Sequence, residues 1–539
     1  MPHGQRPGRQ RSARRHDPAR LGPKAARFYA LRPDSAESAY QFAHALTQQV
    51  AYQLFMPSAR ARLHALALAV LEQSKGQVPA RDLALHARLA QSGQAGSFRL
   101  RRLERRYQRR AAREAEQLNQ PLEAAACYAR LCEISDANSR QSIEFLMGLA
   151  KALRHAGRLD AARKAACRAR RLAQRLKRTS DWARAELLLG EMEYTGSRLA
   201  QARRHAQAAQ RLARATRSTE LEGTAVNMIG VVTFQLGQLR RGLRIMEQAE
   251  LVLRGRRNSR PTMLTSINRA VVLNDLGELA RAQSILEGCV RVARRRGNGR
   301  DLGTALGNLG ITFRKLGRLA EARRCYQEAL DISREVGALD RISANLGNLA
   351  NLDFSEGNFE QGARLVREAM AIAEELGDLS SLGLFSINLA TYHIELGEYE
   401  QAKRLVLDGR ELAKKARVPY YEASALNTLA SIYNLTGDFA RAAESAQNAA
   451  RALESIGMGD TPEFCSAQGH RAIALARLGR HKEARAAAQQ GLARKAGYRA
   501  MTEDPDADTR HLCQNLESIA NGGRPVEIEG PARLNPRRP

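Results

Sequence analysis

The stretch Leu306 to Leu330, LGNLGITFRKLGRLAEARRCYQEAL, decides how the rest of the chain is read. Its glycines, arginines and cysteine could belong to a phosphate loop beside a reactive thiol, or to one unit of something repeated. Gly317 serves as a marker. Steps of forty residues in either direction land on Gly157, Ser197, Gly237, Gly277, Gly357, Gly397 and Gly437, and a final step of forty-two lands on Gly479. Self-similarity at a fixed period is the signature of a repeat architecture, so it takes precedence over any single motif.

Three further columns move with the marker. Seven residues before it stand Ala150, Gly190, Gly230, Ala270, Gly310, Ala350, Ala390, Ala430 and Ala472, all small. Five and twelve residues after it the positions are again small, as at Ala322 and Ala329. Positions seven apart share a helical face, and small side chains there let a neighbouring helix come close. Each unit therefore reads as helix A, a tight turn at the marker and helix B, with glycine at the turn because a helix end often needs a left-handed residue. A helix pair of this length cannot bury its own apolar face, so the units must stack.

The small residue at −7, the turn glycine and the small residues at +5 and +12, in phrases such as LATYHIELGEYEQAKRLV, resemble the tetratricopeptide repeat in its forty-residue variety. The resemblance covers about 142–498, with a degenerate tenth unit at Asn119 to Leu131. It implies an all-α fold: an α-solenoid, a right-handed superhelix of nine to ten two-helix units, here preceded by a short helical connector. The expected organisation is a disordered Arg-rich tail over 1–30, a connector over 31–97, the solenoid over 98–498 and a mostly disordered tail over 499–539.

Composition agrees with an all-helical array. Hydrophobic residues make up 44% of the 539 residues but aromatic ones only 5%, with a single Trp, as small-residue helix packing requires. Seven cysteines (Cys127, Cys132, Cys167, Cys289, Cys325, Cys465 and Cys513) form no CxxC pair and no spacing suited to zinc, so reduced thiols, no metal and a cytoplasmic location are expected. The Gly-rich GNGRDLGTALGNLG lacks a GxxxxGK[ST] pattern and reads as an inter-unit loop followed by Gly310. Cys325 reads as a small buried hydrophobe.

Ahead of the array, Tyr40 to Gln73 shows helical spacing of Phe42, Leu46, Val50 and Leu54, then Leu63, Leu66 and Val70. This predicts two amphipathic helices broken at Pro57. Tyr40, Phe42, His44, Leu46, Val50, Ala51, Tyr52, Leu54, Arg60, Leu63 and His64 resemble, in order, the connector of bacterial STAND-type signalling ATPases and kinases that carry tetratricopeptide sensors. The resemblance implies the regulatory half of such a protein, with an upstream ATPase or kinase as partner. The sequence holds no Walker A motif and no kinase signature. His44 and His64 read as packing or capping residues.

Function is expected on helix A, which tetratricopeptide solenoids expose on their concave side. Nine residues before the marker stand Asn268, Asn308, Asn348 and Asn388, with Asn351 nearby. Asn is disfavoured inside a helix by roughly 0.5 kcal/mol relative to Ala, whereas an amide donates and accepts at once and so suits a peptide main chain. Similar asparagine ladders in forty-residue tetratricopeptide proteins hold one. Amides bonded between adjacent helices, or inherited by duplication, are the alternative. The expectation is a non-enzymatic interaction scaffold or sensor with a protein or peptide ligand in the groove, no cofactor, no catalytic residues and no membrane span.

Charge offers a competing partner. The net charge is +30, and residues 1–220 carry 42 Lys and Arg against 18 Asp and Glu, whereas residues 301–460 carry 17 against 23. Nucleic acid on the basic stretches Phe98 to Glu116 and Arg163 to Arg178 is the second reading. No recognition helix or stacking platform accompanies them, and a solvated arginine-rich face is the favoured account of them.

Overall fold

The structure is a computed structural model that describes residues 29–31, 40–42 and 50–526, with short breaks at 51, 75–77, 92–96, 119, 197, 257–258, 495–497 and 499–506. The chain divides into two compact units, Met1–Ala111 and Ala112–Pro539.

The first unit corrects part of the connector expectation. Tyr40–Phe42 is not helical but a strand, paired antiparallel with Tyr29–Leu31 so that Tyr29 faces Phe42 and Leu31 faces Tyr40. Aromatic residues favour a pleated backbone, and a short apolar run does not tell strand from helix by spacing alone. Tyr29 and Ala30 are thus in a strand, not in the expected tail, while residues 1–28, His44 and Leu46 lie outside the described residues. The break at Pro57 holds, because proline opens helix Pro57–Gln73 at its first position, where no amide is needed.

The buried face of that helix differs from the expected one. Ala61 and Leu68 are buried, and Leu68 packs with Leu83, Ala84, Ala87 and Tyr107, whereas Leu63, Leu66 and Val70 are exposed. Helix Ala80–Leu89 is short and alanine-rich, so it covers only one side. Tyr52 Oη lies 2.9 Å from His64 Nε2, and His64 Nδ1 lies 2.9 Å from His86 Nδ1, which makes His64 the packing residue expected of it.

The second unit is an array of helix pairs. The A helices are Arg140–His155, Thr179–Thr195, Thr219–Gln235, Arg260–Asp275, Gly299–Lys315, Leu339–Ser355, Leu379–Glu395, Pro419–Leu435 and Pro462–Arg477. The B helices are Leu159–Arg175, Leu199–Ala215, Leu239–Val252, Leu279–Arg296, Leu319–Glu335, Phe359–Leu376, Tyr399–Ala416, Phe439–Ser455 and His481–Ala493. They form units 1 to 9, and no strand lies among the described residues of 98–498. Ahead of them helix Pro121–Ile134 packs through Ala124 and Ala125 on Ala115 and Ala152, where the degenerate tenth unit was expected.

The columns behave as their chemistry requires. The eight glycine markers all have positive φ, from +71° at Gly157 and Gly317 to +81° at Gly357, and Ser197 lies outside the described residues. Ala322 and Ala329 are fully buried. A Cβ at Gly310 would stand 2.5 Å from Cε1 of the buried Tyr326, so the small column is small because a neighbour's ring fills the place. A second turn column, twenty residues past the marker, joins each B helix to the next A helix: Lys177, Arg217, Gly297, Gly337, Gly377, Arg417 and Gly457 all have positive φ.

The array does not end at 498. Residues 507–520, within the tail expected to be mostly disordered, form helix Ala507–Ala520. Its Leu512, Cys513, Leu516 and Ile519 are buried with Cys465, Ile473 and Ala488 of unit 9. The last unit of a solenoid has one apolar side without a neighbour, and this helix covers it.

Candidate peptide-binding channel

Every A helix contacts the A helix of the next unit, and no two successive B helices approach as closely. The stack therefore curves with its A helices inside. Within each A helix, positions −14, −12 and −7 from the marker are buried against neighbouring helices, as Gly303, Ala305 and Gly310 are in unit 5. Positions −13, −9, −6 and −2 form the remaining stripe. In unit 5 they are Thr304, Asn308, Ile311 and Lys315, the first three half-buried and the last exposed.

Successive turns of the superhelix touch, which closes the flanks of this inner surface. A Cβ on Gly157 would stand 3.0 Å from the Leu376 carbonyl oxygen, and one on Gly237 would stand 1.9 Å from the Ile456 carbonyl oxygen. Each contact joins a marker turn to a second-column turn about five and a half units later. The ends of A helices meet across the same gap: His155 lies within electrostatic reach of Arg300 and Asp340, and Tyr420 of Asp275.

The expected asparagines lie on the inner stripe, half-buried. Asn268 Nδ2 donates to Asn227 Oδ1 of the previous A helix at 3.4 Å, and Asn388 Nδ2 donates to Asn351 Oδ1 at 2.9 Å. Asn308 Nδ2 donates to the Thr304 carbonyl of its own helix at 2.9 Å. Asn348 has no side-chain hydrogen bond to another described residue. Two amides thus bridge neighbouring A helices, as the alternative reading required, yet each bridge uses one donor and one acceptor and leaves the rest of both amides open.

The sequence reading missed Asn227 and Asn427, which stand one position earlier in the register, at −10. Asn427 Nδ2 donates to Ser466 Oγ at 3.0 Å, and its Oδ1 is shielded from solvent with no partner. Both fall one position outside the −9 column, so that column alone does not show them and its neighbour at −10 does. The charged neighbours at −2 are partly spent, since Lys315 Nζ sits 2.9 Å from Asp275 Oδ1 and donates to the Asn274 carbonyl at 3.2 Å.

Much of the arginine in units 1 and 2 serves buried carboxylates. Asp181 lies 3.3 Å from Arg178 and 3.0 Å from Arg184, and Glu193 pairs with Arg163 at 3.0 Å and with Arg198. Glu186 accepts from Trp182 Nε1 at 2.9 Å and from His205 Nδ1 at 2.6 Å. Burial alone would raise its pKa, but those bonds and the His205 and Arg170 charges hold it below the ordinary carboxylate value. Lys164, Arg168, Arg171 and Arg175 on helix B of unit 1 stay exposed.

The other sites weighed in the sequence resolve structurally. Gly297 is a left-handed helix end, and Asn298 caps the next helix by accepting from the Asp301 amide, so the Gly-rich stretch is a helix-to-helix turn. All seven cysteines are free, and burial pushes the half-buried Cys325 thiol up to about 11, away from reactive thiolate. Among the described residues no cluster of His, Cys, Asp and Glu could hold a metal, and no helix is long and apolar enough to cross a membrane.

Comparison with known proteins places the repeat. One tetratricopeptide family model matches residues 261–335, a second matches 143–166 and 466–490, and the model of anaphase-promoting complex subunit 5 matches 341–390. No curated protein matches the chain. Similar solved structures include a Rap protein complexed with competence and sporulation factor, at 15% identity over 66% of this chain and 98% of that one, with a TM-score of 0.48. They also include the apo quorum sensor NprR from B. thuringiensis, at 13% identity over 67% of this chain and 99% of that one, with a TM-score of 0.45. Aspartyl phosphate phosphatase F from Bacillus subtilis is similar at 14% identity over 66% and 94%, with a TM-score of 0.43. Family models within units 1, 4, 5 and 9, and a helix pair recurring at one turn column through nine units, make the chain a tetratricopeptide-repeat protein.

Proposed function

We propose that the chain is a non-enzymatic scaffold that holds an extended segment of a partner protein along the inner face of its A helices, in bacterial signal transduction. The observation that carries this reading is the asparagine column. Asn268, Asn308, Asn348 and Asn388 recur on the stripe that the B helices leave uncovered, with amide capacity unspent in each. Neighbouring helix axes are about 8–10 Å apart, so successive amides fall roughly every third residue of an extended chain.

The test is partner binding by the full chain carrying Asn308→Ala together with Asn348→Ala. Each amide that replaces water on a main-chain group contributes about 0.5–1.5 kcal/mol, so affinity drops about tenfold or somewhat more. Thermal stability changes little, because Ala is the better helix former. Lost stability with unchanged affinity per folded molecule would assign the amides to helix packing alone.

The resemblance of the connector gives the scaffold its proposed context, as the sensor half of an ATPase or kinase system. The exposed Lys164, Arg168, Arg171 and Arg175 favour nucleic acid as the second reading, and a retained duplex whose affinity falls steeply with salt would support it.

A further inference from the structure

The inner stripe changes character along the array. In units 1 and 2 it carries Glu144, Lys151, Arg184 and Glu191. From unit 3 to unit 8 the positions −13, −9 and −6 hold no Asp, Glu, Lys or Arg at all, although 26% of the chain is charged. The −6 column runs Val231, Val271, Ile311, Asn351, Thr391, Ser431. None of the residues at these three positions in the six units is buried, so the missing charge is not a requirement of core packing. The outer face of the same units behaves oppositely, with Arg244, Arg324, Arg364 and Arg404 exposed in one column.

Resting on the peptide reading above, we propose that the occupant of this channel is an extended polypeptide segment free of charged side chains. The fourth stripe position, −2, does carry Asp275, Lys315 and Glu395, but Asp275 and Lys315 pair with each other at 2.9 Å. A charged side chain entering the flank-closed channel along −13, −9 and −6 would lose water and meet no opposite charge there. Main-chain groups meet amides and hydroxyls instead, including the half-buried Asn348 and Thr391. Small aliphatic or hydroxyl side chains of the ligand meet Val271, Ile311 and Thr391.

The experiment pans a phage-displayed random dodecapeptide library on the full chain and on the full-length variants Ile311→Glu and Thr391→Lys, each checked for an unchanged melting temperature. The wild type enriches peptides in which Asp, Glu, Lys and Arg together fall at least threefold below their input frequency. Thr391→Lys restores Asp and Glu, and Ile311→Glu restores Lys and Arg. Either variant suffices if the other fails to fold. Enrichment of charged peptides on the wild type overturns the inference and leaves the peptide reading standing, as do selections that ignore both variants. Failure to enrich any peptide over the bare support overturns the peptide reading itself, and this inference with it.

Discussion

Units 1 and 2 and units 3 to 8 share one backbone plan and both bury carboxylates against arginines, Asp301 with Arg260 and Asp353 with Arg323 in the later units, but they differ in the charge of the inner stripe. The first pair bury three carboxylates, Asp181, Glu186 and Glu193, among arginines and carry charges on the inner stripe as well. The later units keep positions −13, −9 and −6 of that stripe free of charge, with Asp275, Lys315 and Glu395 confined to −2, and put arginines outside. The difference teaches that net charge is a poor guide to what a partner sees. Part of the excess in the first 220 residues is spent inside the fold, while the part of the chain with a net negative count keeps positions −13, −9 and −6 of its inner stripe free of charge. A sequence tally cannot separate these uses, because it does not know which helix face each residue occupies.

The comparison is most directly broken at Glu186. Replacing it by Ala strips the acceptor from Trp182 and His205 and leaves Arg170 without its carboxylate, whereas the same columns of units 3 to 8 contain no such network. Removing one member of a buried charged network costs about 3 kcal/mol or more. Because repeats unfold in part independently, the loss is expected as an early transition of units 1 and 2 in a denaturant titration. A change under about 1 kcal/mol would show that these carboxylates are solvated in practice.

A second pair of variants probes the closed flank of the channel. Gly237 and Gly397 are both marker glycines, with φ of +80° and +73°. An added Cβ at Gly397 meets nothing within 4 Å, but at Gly237 it would stand 1.9 Å from the Ile456 carbonyl oxygen. Both Ala variants carry the left-handed strain of about 1 kcal/mol. Only Gly237→Ala must also push two superhelical turns apart, at about 1–3 kcal/mol more. Small-angle scattering should show a larger radius for Gly237→Ala than for Gly397→Ala, and equal radii would mean that the turns are not in contact in solution.

Much of the fold was legible because the repeat multiplies weak signals. One glycine says little, but the same columns coinciding through nine units fixed helix A, turn and helix B, and Ala322 and Ala329 are buried as the register demands. The strand at Tyr40–Phe42 was not legible, since three residues carry no period. The exposed Leu63, Leu66 and Val70 show that helical spacing identifies an apolar face without saying what covers it. The asparagine column was visible, but its side-to-side bonds and the partners Asn227 and Asn427 depend on how neighbouring A helices are staggered. The turn-to-turn contacts depend on superhelical pitch, which no single unit encodes.

The end of the channel offers a test by pH. His470 stands at −9 in unit 9, where units 4 to 7 have asparagine, and burial together with the neighbouring His511 pushes its pKa down to about 4. The folded pKa lies below the unfolded value of 6.5. Between those values the unfolded chain binds a proton that the folded one refuses, so stability falls as pH drops through the window. The loss should reach about 1–2 kcal/mol at pH 5 from His470 alone, and because burial also pushes His155 down to about 4, His470→Gln should remove about half of the slope. An unchanged slope in that variant would assign the acid sensitivity to other groups.

The smallest expected effect concerns the second turn column. Gly297, Gly337, Gly377 and Gly457 occupy it with positive φ, but Lys177, Arg217 and Arg417 hold the same backbone at φ of 53°, 51° and 56°. A side chain in the left-handed region costs about 1 kcal/mol or more, and glycine removes that cost while giving back roughly half of it through the greater freedom of the unfolded chain. Arg417→Gly is therefore expected to stabilise the array by about 0.5 kcal/mol, read as a small rise in melting temperature. The same gain is expected at Lys177 in the charged half, because the strain belongs to the backbone and not to the charge around it. A gain at Arg417 but a loss at Lys177 would mean that the lysine side chain makes a contact worth more than its strain, and that charge organises the turns of units 1 and 2 as well as their cores.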